Sequence, residues 1–256
     1  MNTTKLNRNP KSWNEITVSE FQEINNLDTT KDEYSTHLLS IITDTSLNVI
    51  EEFDYDEFLE IFYKFDFYKQ NPKSTPKQKI HLIDTDLHLI EFNKMTLGEF
   101  IDLEHFFVDG PMKNLSIILA ILYRKKEVLN SAFHQDVFED YGDYIYHRQP
   151  IFEEAMIGDV FGVIPSYMKF RKDLFDSYEG LFDDSDVDDE MDEDMDVISR
   201  AEFAKNNSKE KLLKKWGWDM LIFKLSNNDA TRVGEVYKMN IIMAFNILSM
   251  QKELQL

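Results

Sequence analysis

The sequence predicts a mainly α protein: a helical chain built on a duplicated, capped two-helix unit, with one small β-hairpin and a mobile acidic loop. Three observations predict it. The phrase ITVSEFQEI at 16–24 returns as MTLGEFIDL at 95–103, and both read as helix starts. Only 8 glycines and 6 prolines interrupt 256 residues, so helices are permitted along most of the chain. Residues 183–196, DDSDVDDEMDEDMD, hold ten acids and no base, half of the formal net charge of −20. Such a run buries too little apolar area to offset the entropy of ordering it.

The elements follow in order. Thr17 and Glu20 form a capping box, in which the hydroxyl takes an orphan amide and the carboxylate reaches back to the Thr amide. Thr96 and Glu99 repeat it. Ile16 and Met95 precede Phe21 and Phe100 by five positions, the spacing of a hydrophobic staple. Widened to WNEITVSEFQEI from Trp13 and FNKMTLGEFIDL from Phe92, the match stays gapless. Asp54 with Glu57 and Ser199 with Glu202 use the same grammar without the flanking match. The first helix runs from Thr17 to about Asn25, and a second occupies 35–46 with Leu38, Ile41 and Ile42 on one face. A third starts at Asp54, its stripe Phe58, Ile61, Phe62 and Phe65. Two prolines and four lysines make 69–79 a turn-rich connection.

Residues 80–92 hold two β-prone runs around Asp84-Thr85-Asp86, a hairpin across which His81 and His88 could face each other, a geometry that is more often a surface pair than a metal site. After Thr96 comes an apolar helix at 114–126, whose Leu115-Ser116-Ile117-Ile118 echoes Leu39-Ser40-Ile41-Ile42. Residues 149–178 read as helical, broken or bent at Gly158, Gly162 and Pro165. Beyond the acidic run, Ser199 caps a lysine-bearing helix, and a last helix spans about 240–253 with Ile241, Ala244, Phe245 and Leu248 buried. Three regions follow: 1–78 as repeat unit 1, 79–146 as hairpin plus repeat unit 2, and 147–256 as a C-terminal helical region containing the acidic loop.

Composition narrows the function. With 48 acids against 28 bases, the chain repels phosphate and anionic lipid, so neither direct nucleic-acid binding nor membrane binding is expected. No apolar run reaches the ~20 residues that span a bilayer, and the first residues lack the apolar core of a secretory signal. The absence of cysteine excludes disulfides, thiolate zinc sites and cysteine nucleophiles. The phosphate-binding glycine loops and the nucleophile elbow are missing, and no histidine stands in a metal-ligand motif. No catalytic residue, cofactor site or metal site is therefore assigned. Asp184, Asp186 and Asp188 take the first, third and fifth places of an EF-hand loop, but Asp189 stands where its glycine belongs and Met195 where its glutamate belongs.

Twenty Phe and eleven Met suit an adaptable surface that accepts apolar segments of a partner. Most of them fill cores. Trp216 and Trp218 stand two apart on one helix and cannot both face its core. The candidate partner-binding residues are thus Trp13, Phe92, Trp216 and Trp218, together with the acids Asp183, Asp184, Asp186, Asp188, Asp189, Glu190, Asp192, Glu193, Asp194 and Asp196 as a decoy for a basic segment. A solvated linker is the plainer reading of that run.

The opening SWNEITVSEFQEI, followed by a leucine-rich helix and an acidic aromatic helix, resembles that of bacteriophage tail assembly chaperones and related phage morphogenesis proteins. The ending KWGWDMLIFKLSNNDATRVGEVYKMNIIMAFNILSMQKE is similar to their terminal segment. The resemblance covers about half the chain and implies a noncatalytic helical protein, in the host cytoplasm during assembly, that holds apolar helices of a partner such as the tape-measure protein. The chain departs from that family in its length, its repeated phrase and its acidic insert. The second reading is accordingly a structural virion protein, retained in the tail, at the connector ring or inside the head. Self-association is a further partner expectation.

Overall fold

A computed structural model describes residues 6–73, 75–128, 136–139, 141–142, 144–182 and 217–254. The acidic run 183–196, Trp216 and the helix expected from Ser199 lie outside the described residues. The chain is mainly helical, with a small antiparallel sheet. In chain order it forms α1 (Val18–Asn26), α2 (Tyr34–Thr43), α3 (Leu47–Glu51), α4 (Tyr55–Phe62), β1 (Lys79–Leu82), β2 (Thr85–Leu89), α5 (Leu97–Val108), α6 (Leu115–Leu122) and β3 (Tyr123–Arg124). Then come β4 (Lys126–Val128), β5 (Asp136–Phe138), α7 (Tyr144–Glu153), α8 (Ile157–Val160), α9 (Val163–Ser177), α10 (Glu179–Phe182), α11 (Trp218–Leu225), α12 (Val233–Tyr237) and α13 (Ile241–Glu253).

Two compact units divide these elements, each discontinuous in sequence: Met1–Leu89 with Asp109–Pro165, and Ile90–Val108 with Ser166–Leu256. This arrangement differs from the expected duplicated two-helix unit. Helix α5 belongs to the second unit and α6 to the first, so the second phrase and the apolar helix after it fall in different units. All eight residues of α6 are buried, and α6 packs on α7 in the first unit.

The two helix starts themselves form as the caps dictate. The Thr17 amide donates to Glu20 Oε2 at 2.8 Å and the Glu20 amide to Thr17 Oγ1 at 3.2 Å; Thr96 and Glu99 make the same pair at 2.8 and 3.3 Å. Both staples are buried, Ile16 with Phe21 and Met95 with Phe100. A further shared feature was invisible locally. Before each cap the backbone is extended and makes a short antiparallel bridge to the residue that starts a distant helix, Thr17 to Met156 ahead of α8 and Thr96 to Asn240 ahead of α13. In the first unit the Val18 amide donates to the Ala155 carbonyl and the Ile157 amide to that of Ile16, at 2.9 Å each. In the second, Leu97 donates to Met239 at 2.7 Å and Ile241 to Met95 at 3.0 Å. The bridged helix then sets a phenylalanine against the staple ring: Phe161 edge-on to Phe21 with centroids 5.7 Å apart, Phe245 edge-on to Phe100 at 5.9 Å. Gly158 in α8 suits this closeness: a Cβ there would collide with Asn14 Oδ1 and lie 3.1 Å from the Asn14 Cα, so Asn14 would have to shift.

Helices α2, α3 and α4 enclose a local core of Leu38, Leu39, Ile42, Ile50, Phe53, Ile61 and Phe65. The hairpin pairs β1 with β2, and β3 adds a third strand. Its turn is Ile83-Asp84, with φ 43° and 57°, one residue earlier than expected. That shift decides the cross-strand partners. His81 stands opposite Asp86 and His88 opposite Lys79, so the two histidines do not face each other. Lys79 and then His81 hold the exposed Asp86 carboxyl below the usual carboxylate range.

Tyr123 of β3 is wholly buried and donates to the Lys77 carbonyl at 2.8 Å. Burial pushes its phenol from 10.0 up to about 12. Because the unfolded phenol ionises near pH 10 and the folded one near pH 12, this group's contribution is intact below the first value and is lost as pH rises through the second. Alkaline titration of unfolding free energy is therefore expected to show a loss on the order of 2 kcal/mol across that window from Tyr123. Tyr123→Phe should remove that part of the pH dependence and cost about 1 kcal/mol at neutral pH, since the Lys77 carbonyl loses its donor.

Candidate functional site

The structure redistributes the residues expected at a partner surface. Trp13 is buried, its indole N–H donating to the Gln70 carbonyl at 2.7 Å and its ring edge-on to Phe21 and Phe67. Trp218 is buried against Phe100 and Phe245. Both rings are core residues, because each begins or abuts a helix whose apolar face is packed. Phe92 is half-buried and packs on Tyr167 and Phe170. Trp216 and the ten acids of 183–196 lie outside the described residues.

The polar groups that do converge form a buried ion pair in the second unit. Glu104 of α5 accepts from Arg171 of α9 at 2.7 and 2.9 Å from Nε and 2.7 Å from Nη2. The Tyr167 hydroxyl lies 3.5 Å from Glu104 Oε1. Burial first, and then the neighbouring Glu104 carboxylate, raise the Tyr167 phenol well above its ordinary value. The two charges are matched, Glu104 is 3% exposed and Arg171 is partly open to solvent, and the pair fixes α5 to α9. The sequence carries a signal for it: Glu104 falls among the buried Leu97, Phe100, Ile101, Leu103 and Phe107, and, unlike Glu99, it is too far from the helix start to be answered by the cap, so it demands a partner. In the first unit Arg148 is similarly buried, pairing with Glu139 and donating from Nε to the Ala120 carbonyl at 3.0 Å. Burial lowers its pKa, partly offset by Glu139. Among the described residues no three His, Asp or Glu side chains gather as a metal-ligand set, and no helix is long and apolar enough to cross a membrane.

The surface that stands out is apolar and lies in the second unit. Helix α13 buries Ile241, Ala244, Phe245 and Leu248 as expected. It also carries a second stripe on the opposite side: Met243, Ile247, Met250 and, at the C-cap, Leu254, at i, i+4, i+7 and i+11. Met243, Met250 and Leu254 are 52–60% exposed, and Ile247 is half-buried. Helix α11 repeats the pattern, burying Trp218 and Ile222 while Met220 and Phe223 stay exposed. A helix apolar on both sides is built to be covered on both. The cap holds this one in place: Asn240 accepts from the Ile242 and Met243 amides at 3.0 and 3.2 Å and donates to the Asn93 carbonyl at 2.8 Å.

No protein-family model matches this chain, and neither a curated protein nor a solved structure matches it.

Proposed function

We propose that the chain is a noncatalytic binding protein that covers an apolar helical segment of a partner, in the manner of the phage tail assembly chaperones its two ends resemble. The second apolar stripe of α13 carries the reading. Four apolar positions at i, i+4, i+7 and i+11 span about 16 Å, a ridge of the length and spacing that packs against another helix. Thioether side chains at two of them adapt to varied apolar shapes, as a protein holding successive segments of a long tape-measure helix requires. Burying such a stripe is favourable at about 25 cal/mol per Å² of apolar area.

The test is co-expression with the tape-measure protein of the same phage. Wild-type chain should keep that protein soluble; Met243→Glu/Met250→Glu, at exposed positions that leave the fold intact, should let it aggregate. Equal solubility with the double variant, or without the chain at all, would reject the reading. Mass spectrometry of washed particles separates the chaperone from the structural virion protein: a chaperone is absent, whereas a structural component is present at stoichiometric copy number.

A further inference from the structure

Helix α4 in the first unit carries a different exposed face. Its core side is Phe58 and Ile61, continued by Phe65, against the local core. On the other side Tyr55 and Tyr63 are 75% and 61% exposed, at i and i+8, with the half-buried Leu59 between them at i+4. Asp56 and Glu60 flank this stripe, one helical step round from Tyr55 and Leu59. Across 51–66 there are seven acids, Glu51, Glu52, Asp54, Asp56, Glu57, Glu60 and Asp66, against the single base Lys64. Lys64 pairs with Glu60 and Lys69 with Asp66, while Glu51, Glu52, Asp56 and Glu57 make no ion pair with the described residues.

We propose that the Tyr55–Leu59–Tyr63 face of α4, with Asp56 and Glu60 at its flank, docks a lysine- or arginine-bearing amphipathic helix of a protein partner. Charge decides the occupant. Lys64 answers Glu60, but Asp56 and the nearby Glu51, Glu52 and Glu57 pair with no described base, so the rim keeps an excess of negative charge that disfavours phosphate-bearing and acidic partners and favours cations. The aromatic rings favour the same ligand, because a cation over a tyrosine face is attracted by the ring quadrupole. The chain already shows this contact once, with the Lys69 ammonium 5.9 Å from the Tyr63 ring centroid. The apolar spacing of i, i+4 and i+8 matches a helix, so the partner alternates apolar residues that meet Leu59 between the two tyrosines with bases that reach the acidic flank. This face is separate from the α13 stripe, and it stands or falls independently of it.

Titration calorimetry of the full chain with a synthetic lysine/leucine amphipathic helical peptide tests the assignment. Saturable binding is expected, weakening as salt rises. Tyr55→Ser/Tyr63→Ser should weaken it by about tenfold, and Asp56→Asn/Glu60→Gln should weaken it and flatten its salt dependence. Glutamate-for-lysine and scrambled peptides should not bind. Met243→Glu/Met250→Glu should bind as the wild type does. Binding that is absent, indifferent to the tyrosine pair, equal for the scrambled peptide, or lost with the methionine pair would overturn the proposal. Both tyrosines are exposed, so circular dichroism should show the same helix content in their variant.

Discussion

Arg171→Met is expected to cost about 3 kcal/mol of unfolding free energy, whereas Glu104→Gln should cost only about 1–2 kcal/mol. The asymmetry comes from burial. The Glu104 side chain is 4% exposed and that of Arg171 is 21% exposed. Removing the arginine strands a carboxylate that has lost both charge-assisted donors, Nε and Nη2, and keeps the Tyr167 hydroxyl at 3.5 Å. Removing the carboxylate charge leaves a guanidinium that still covers the Phe175 ring at 4.8 Å and can turn its other edge to water. Urea denaturation of the two single variants and of Glu104→Leu/Arg171→Met checks this. The double variant should be more stable than Arg171→Met alone, because no unmatched charge remains inside. Equal losses for the two singles would mean that the pair is solvated, and the account of α5 fixed to α9 through it would fail.

The pair also shows what the sequence could and could not disclose. The capped starts at Thr17 and Thr96, the α4 stripe and the last helix are legible because their causes lie within five residues of each other. The hairpin is legible in kind, but its turn sits at Ile83-Asp84, since no Asn-Gly or Asp-Gly fixes the place, and a one-residue shift gives His81 and His88 different partners. Glu104 and Arg171 are 67 residues apart, and nothing local says which base answers the buried acid. The bridges from Thr17 to Met156 and from Thr96 to Asn240 span still longer separations, which is why contiguous regions were expected where the units are discontinuous. Burial of Trp13 and Trp218 depends on those same contacts. The second stripe of α13 was present in the sequence all along; a core stripe on the same helix masks it until exposure tells the two faces apart.

The bridged helix starts lead to the second large effect. Phe245→Ala is expected to destabilise the chain by about 3–5 kcal/mol, the cost of emptying an enclosed aromatic site. Its ring is fully buried and meets four others: Phe100 at 5.9 Å, Trp218 at 6.4 Å, Phe175 at 6.5 Å and Tyr178 at 5.3 Å. Those rings come from α5, α9, α11 and the junction after α9 and cannot all move in to fill the space, so the cavity term is added to the lost transfer energy. Phe161→Ala removes the ring that occupies the corresponding place beside the first bridge, where among the described residues its ring contact is with Phe21. It is 5% exposed. Its loss should fall at the lower end, about 3 kcal/mol. Urea denaturation of both variants gives the ordering: a cost for Phe245→Ala below about 1 kcal/mol, or smaller than that for Phe161→Ala, would show that the staple rings and the bridges, not these phenylalanines, hold each distant helix against its capped partner.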